Sequence, residues 1–199
     1  MGAGKKEDDI TMRDRIIRAT IECIEKHGLH DLTVRRIARE AGVNVAAINY
    51  YFGSKEKLVD EVFQKTIYTG FDENIDDFLK DYKESPDTAL EQFLRHFMAG
   101  GLQYPNLVKI HFYEAFVNNN YKTLSAKGVS AFLDKFETTV SSCMDKKKGN
   151  QCKIEMTQFW SAVFFPIVFP GLFRDYTGVD FKDQAWLEMY IRRLVKMYF

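Results

Sequence analysis

From Met12 to His27 the positions Ile16, Ile17, Thr20, Ile21 and Ile24 recur at three- and four-residue intervals, which is the spacing of one helix face, and Gly28 supplies the stop. Thr33 reads as the cap of a short helix, Val34 to Ala41, with Gly42 as its C-terminal stop. Asn44 caps a third helix from Val45 to about Tyr51, and Ser54 caps a fourth beginning at Lys55. Leu58, Val62, Ile75, Phe78 and Leu79 keep the period, so the fourth helix is expected to run unbroken to about Tyr82, with Gly70 weakening its middle and Ser85-Pro86 ending it. A fifth helix follows to about Tyr104, a sixth spans Pro105 to Val117, and a seventh runs from about Thr123 to the turn at Lys148-Gly149-Asn150. The eighth, Glu155 to Tyr176, is rich in aromatics and carries Pro166 and Pro170, which should bend or break it. The ninth spans Lys182 to Phe199. Sustained period-two alternation is missing throughout. The pattern predicts an all-α fold of about nine helices.

Composition adds a sizeable core, because 17 Phe and 10 Tyr in 199 residues supply ample apolar surface. Charge adds little globally, since 28 Lys and Arg balance 28 Asp and Glu. Locally it is sharper: between 32 and 58, Arg35, Arg36, Arg39, Lys55 and Lys57 face only Glu40 and Glu56. The three cysteines, Cys23, Cys143 and Cys152, have no framework spacing, which fits a reducing compartment. An 18-residue apolar run is absent and the first residues lack a signal-peptide core, so a cytoplasmic protein with no membrane partner is expected. Residues 1–10 are small and charged, a disordered tail by composition.

The segment 33–58 reads TVRRIAREAGVNVAAINYYFGSKEKL. Two short helices joined by a tight turn at Gly42 make a helix-turn-helix. Ile37, Ala38 and Ala41 can pack on Val43, Ile48 and Phe52, which leaves small and polar side chains on the outer face of the second helix. Such a face suits a major groove about 12 Å wide.

This segment resembles the TetR family of bacterial transcriptional regulators. The residues that carry the resemblance are Thr33, Ile37-Ala38, Ala41-Gly42-Val43, Tyr51-Phe52, Lys55 and Leu58, over about a quarter of the chain. Asn49 departs from the pattern, standing where the family more often has tyrosine. The resemblance implies a DNA-binding domain over 11–54, and a ligand-binding and dimerisation domain over 55–199. It places DNA contacts on Thr33, Arg35, Asn44, Val45, Ala46, Ala47, Asn49, Tyr50, Tyr51 and Lys55. By side-chain chemistry Arg35 suits guanine, Val45 to Ala47 suit base edges and thymine methyls, and Tyr50, Tyr51 and Lys55 suit phosphates.

Past residue 58 the family implies an effector pocket and a twofold interface. Phe93, Phe97, His111, Phe112, Phe116, Phe132 and Phe136 are the candidates for a hydrophobic small-molecule site, although a stripe of large apolar residues is most often ordinary core. His96, Tyr113, Glu114 and Gln158 are polar candidates at the same place. Trp160, Val163, Phe164, Ile167, Trp186, Met189 and Tyr190 are the candidates for a homodimer contact, which would call for a pseudo-palindromic operator. The implied partners are therefore duplex DNA, a small effector and a second copy, with no cofactor.

Two other readings remain at this point. An enzyme finds no support in a nucleophile elbow, HExxH, phosphate loop or dinucleotide turn. Cys23, His27 and His30 could place metal ligands near one helix end, but Gly28 interrupts the helix between the histidines. The other reading is a helical small-molecule-binding or interaction protein without operator binding.

Overall fold

The computed structural model describes residues 11–68, 75–141 and 150–198, so the tail expected at 1–10, Gly70, Cys143, the Lys148-Gly149 turn and Phe199 lie outside the described residues. Eleven helices make up the described chain, with no strand among those residues. They are α1 (Met12–His27), α2 (Val34–Ala41), α3 (Val45–Phe52), α4 (Lys55–Ile67), α5 (Ile75–Glu84) and α6 (Pro86–Gln103), followed by α7 (Pro105–Asn118), α8 (Leu124–Ser141), α9 (Asn150–Val168), α10 (Pro170–Thr177) and α11 (Gln184–Tyr198).

The all-α expectation holds, and the two extra helices come from two divisions. The fourth expected helix appears as α4 and α5, with the stretch between them outside the described residues. The eighth divides at Phe169 into α9 and α10, whose axes differ by 89°. Pro170 explains that break, because proline disfavours helical backbone in the residue before it. Pro166, in contrast, sits inside α9 without ending it.

Two compact units divide the chain, one through Lys65 and the other from Thr66 onward. In the first, α1, α2 and α3 pack around Ile16, Ile24, Ile37 and Ile48, all fully buried, and α4 adds Leu58 and Val62. In the second, α6, α9 and α11 pack on one another, with α5 against α6 and α7 against α8 and α9. Its centre is a cluster of rings. Phe136 lies 5.5 Å from Phe78, 4.8 Å from Trp160 and 6.0 Å from Phe159, centroid to centroid. Arg95 of α6 forks onto both carboxylate oxygens of Glu188 of α11, with Nη2 to Oε2 at 2.8 Å. Where α6 crosses α9 only glycine fits, since a Cβ on Gly101 would lie 2.6 Å from Ile167 Cγ2.

Among the described residues no single helix is long and apolar enough to cross a membrane.

Candidate nucleic-acid interface and apolar cavity

The helix-turn-helix is built by local capping. Thr33 Oγ1 accepts the Arg36 N–H at 3.2 Å, so α2 starts where a β-region residue can turn into helix. Gly42 closes α2 with φ 62° and ψ 38°, a left-handed conformation that costs glycine nothing. The Val43 N–H returns to the Ala38 carbonyl at 2.9 Å, which completes the Schellman ending and aims the chain at α3. Asn44 Oδ1 then accepts the Ala47 N–H at 2.8 Å.

α3 turns Ile48 and Phe52, four residues apart, into the core. Val45, Ala46, Asn49, Tyr50 and Tyr51 are exposed, and Ala47 is half-buried. Tyr50 is 84% exposed, so its ring is presented to solvent rather than packed. Thr33 and Arg35 are exposed at the start of α2. Lys55 is half-buried, and its Nζ donates to the Leu32 carbonyl at 3.1 Å, which leaves two ammonium donors for another acceptor. Nine of the ten residues expected at the DNA surface therefore lie on, or at the ends of, α2 and α3, and Lys55 opens α4.

Arg13 was not a sequence candidate, yet it seats α3. It stacks 4.6 Å over the Phe52 ring, donates to the Tyr51 carbonyl at 2.9 Å and pairs with both Glu61 oxygens. Nothing in the helical period marks it, because its partners lie 38 and 48 residues away in sequence. Cys23 is buried core in α1, and among the described residues no group of three or more metal-ligating side chains converges.

In the second unit an open cavity of about 730 Å³ lies among α7, α8, α9, α10 and α11. Of the residues named for the effector site, Phe112 and Phe116 line it. Phe93, Phe132 and Phe136 do not: they are buried in the ring cluster, and half-buried Phe97 stacks on Phe132 at 5.6 Å. His111 sits one residue before the wall rather than in it, bonded to Thr66 and Ser125. Tyr113 and Glu114 stand off the wall, and His96 and exposed Gln158 are not part of it either. Instead Trp160, Phe164 and Tyr190, expected at a dimer contact, line the cavity together with Phe165, Phe169 and Phe173.

The wall has few polar groups to offer a guest. Its three hydroxyls all donate to backbone carbonyls: Thr157 to Lys153 at 2.8 Å, Ser161 to Thr157 at 2.7 Å and Tyr190 to Ala162 at 2.8 Å. The last bond follows from Pro166, which has no N–H to give the carbonyl four residues earlier, so the Tyr190 hydroxyl takes the place of the missing helix donor. Burial pushes the Tyr190 hydroxyl up to about 12, keeping it protonated and donating. Tyr190→Phe should cost about 1–3 kcal/mol by stranding that carbonyl, read as a lower urea midpoint. An unchanged midpoint would mean that water or another group serves Ala162. Glu137 and Lys153 are the charged side chains in the wall.

The remaining dimer candidates separate by burial. Val163 and Ile167 are buried in the unit's own core, and Trp160 is only 6% exposed. α9 exposes a different row, Ile154, Gln158, Ser161 and Phe165, while α11 exposes Trp186, Met189 and Met197. Trp186 and Met189 thus stand exposed, as do Ile154, Phe165 and Met197, which sequence reasoning did not name.

Comparison with known proteins bears on both units. Residues 16–62 match the family described as bacterial regulatory proteins, tetR family, a family of regulators rather than enzymes. The HTH-type transcriptional regulator BetI 1 of Chromohalobacter salexigens is 39% identical over 56 residues, 28% of this chain and 28% of that protein. BetI of Escherichia coli is 44% identical over 48 residues, 24% of this chain and 25% of that one. The match thus spans about a quarter of the length of these relatives. Among solved structures, a transcriptional regulator from Aquifex aeolicus superposes with a TM-score of 0.68 at 17% identity, covering 95% of this chain and 100% of that one. FadR from Bacillus subtilis, solved with stearoyl-CoA, gives 0.65 at 18% identity, covering 91% and 96%. The motif residues thus match that family over 16–62, and the fold is shared with these solved structures along nearly the whole length.

Proposed function

We propose that the protein is a ligand-responsive, dimeric DNA-binding transcriptional regulator, a repressor that leaves its operator when a small hydrophobic effector fills the cavity. The observation that carries this reading is the outward face of α3, where Val45, Ala46, Asn49 and Tyr50 stand exposed beside a family match over the same residues. In this reading α3 lies in the major groove. Val45, Ala46 and Ala47 meet base edges, and Asn49 has the amide geometry for an adenine. Thr33, Asn44, Tyr50, Tyr51 and Lys55 hold phosphates, and Arg35 reads a guanine.

The effector is an apolar guest with one polar end. Rings line the cavity, its hydroxyls are committed to carbonyls, and charge is offered by Glu137 and Lys153. The acyl thioester held by the FadR neighbour is a guest of that general character. The dimer contact lies along the exposed rows of α9 and α11, including Phe165, Trp186 and Met189. A twofold pair of reading helices then sets operator half-sites about 34–36 Å apart. In this reading residues 11–54 serve DNA binding, and residues 55–199 serve effector binding and dimerisation.

Selection of bound genomic fragments by the purified chain tests this, followed by titration at stated salt. A pseudo-palindrome is the expected product. Arg35→Ala should then cost about 1–3 kcal/mol of binding and relax one operator position, whereas Lys55→Ala should weaken specific and random duplexes alike. Fragments without a common sequence would favour a helical ligand-binding protein that has no operator.

A further inference from the structure

Pro166 leaves one carbonyl of α9 without its helix amide, and that carbonyl belongs to Ala162, a residue of the cavity wall. Tyr190 of α11, another wall residue, supplies a hydroxyl to it at 2.8 Å. The bond is therefore part of the cavity, and both of its residues are half-buried there. The other two wall hydroxyls are placed differently. Thr157 and Ser161 donate to the carbonyls of Lys153 and Thr157, each of which is followed four residues on by a residue that has an amide to give. Losing either hydroxyl leaves its carbonyl served. The Ala162 carbonyl has no such reserve.

A carbonyl oxygen has two lone pairs, so Tyr190 fills only half of what Ala162 can accept. Rings make up much of the surrounding wall, among them Trp160, Phe164, Phe165 and Phe169. In so apolar a setting a polar group gains more from a partner, and loses more without one, than it would in water. A guest that brings a hydrogen-bond donor to this oxygen takes up the position that the missing amide leaves open. A guest of the same shape that brings only lone pairs meets the lone pairs of the carbonyl and is disfavoured.

We propose that the Ala162 carbonyl, released by Pro166 and guarded by Tyr190, is the polar anchor of the cavity, and that its guest is an aromatic molecule bearing a neutral hydroxyl. This deepens the ligand-responsive reading above and rests on it. The rings of the wall hold the body of the guest, and the hydroxyl donates to Ala162 beside the Tyr190 hydroxyl.

The probes are β-naphthol and its methyl ether, which differ by that one donor, titrated into the full chain at neutral pH by calorimetry. The wild type should prefer the naphthol about fivefold, the worth of one net hydrogen bond. Tyr190→Phe strands the carbonyl, so naphthol affinity should rise by about a further fivefold while the ether stays within about twofold of its wild-type value. A hydroxyl that served only to hold the wall together would, on removal, weaken both probes or neither. Pro166→Ala returns the amide to α9 and should bring the preference to within about twofold. Equal affinity of the wild type for the two probes, uptake of neither, or a folded Tyr190→Phe with no gain for the naphthol overturns the anchor. Should Tyr190→Phe fail to fold, an undiminished preference in Pro166→Ala overturns it. The underlying reading fails separately: naphthol bound with the expected preference that leaves a selected duplex in place contradicts ligand response and keeps the anchor, whereas a duplex released by both probes alike does the reverse.

Discussion

Phe136→Ala should lower the stability of the second unit by about 3–5 kcal/mol, the range for deleting a fully buried aromatic ring. Phe136 is 0% exposed and its ring lies within aromatic range of Phe78, Phe93, Phe132, Phe159 and Trp160, so five rings on four helices lose a shared neighbour. The hole left behind cannot collapse cheaply, because rings held on separate helices have few rotamers with which to fill it. Phe116→Ala is the control. That side chain is 62% exposed on the cavity wall, and its loss should change stability by only about 0.5 kcal/mol while weakening the uptake of an apolar dye. Urea unfolding of both variants decides the matter. Equal losses at the two positions would show that the ring cluster is not the centre of the unit.

Acid should act through His111. Burial pushes its pKa down to about 4 from an ordinary 6.5, so the folded ring stays neutral where the unfolded one takes up a proton. Above pH 6.5 both states are neutral and the full stability is present. As pH falls from 6.5 towards 4 the unfolded state alone gains the proton, and stability drops by roughly 3 kcal/mol in all. Between pH 7 and pH 5 the loss should be about 2 kcal/mol, whereas His111→Gln should lose less than about 1 kcal/mol over the same interval. The carboxylates of Asp14, Glu40 and Glu188 are held below their usual range, by hydrogen bonds from Lys65, Lys26 and Arg95 respectively, and their contribution is lost at still lower pH. An identical acid response in the two proteins would mean that the ring is not desolvated in the way its surroundings imply.

The first unit was legible because its instructions are local. Thr33, Gly42 and Asn44 act on hydrogen bonds within five residues, and Ile48 and Phe52 sit one helical turn apart. The second unit was read less well for the opposite reason. α9 is apolar on almost every side, so periodicity could not tell its core face, Val163 and Ile167, from its exposed row, Ile154 and Phe165. Phe93, Phe132 and Phe136 had the spacing of a cavity wall and turned out to pack against one another, since a stripe of rings reads alike in either role. Proline fared better, as the break between α9 and α10 falls where Pro170 requires it. The bonds that matter most at a distance, Arg13 to Glu61 and His111 to Thr66, join residues 48 and 45 apart, and a period of three or four carries no trace of them.

The hydroxyl that stands in for an absent helix donor binds two sequence positions into one unit of heredity. A relative with an ordinary residue in place of Pro166 regains the amide proton and is then free to carry phenylalanine in place of Tyr190, whereas losing the tyrosine first would strand a carbonyl. Among descendants of this chain the two positions should therefore drift together, with the proline as the first to go.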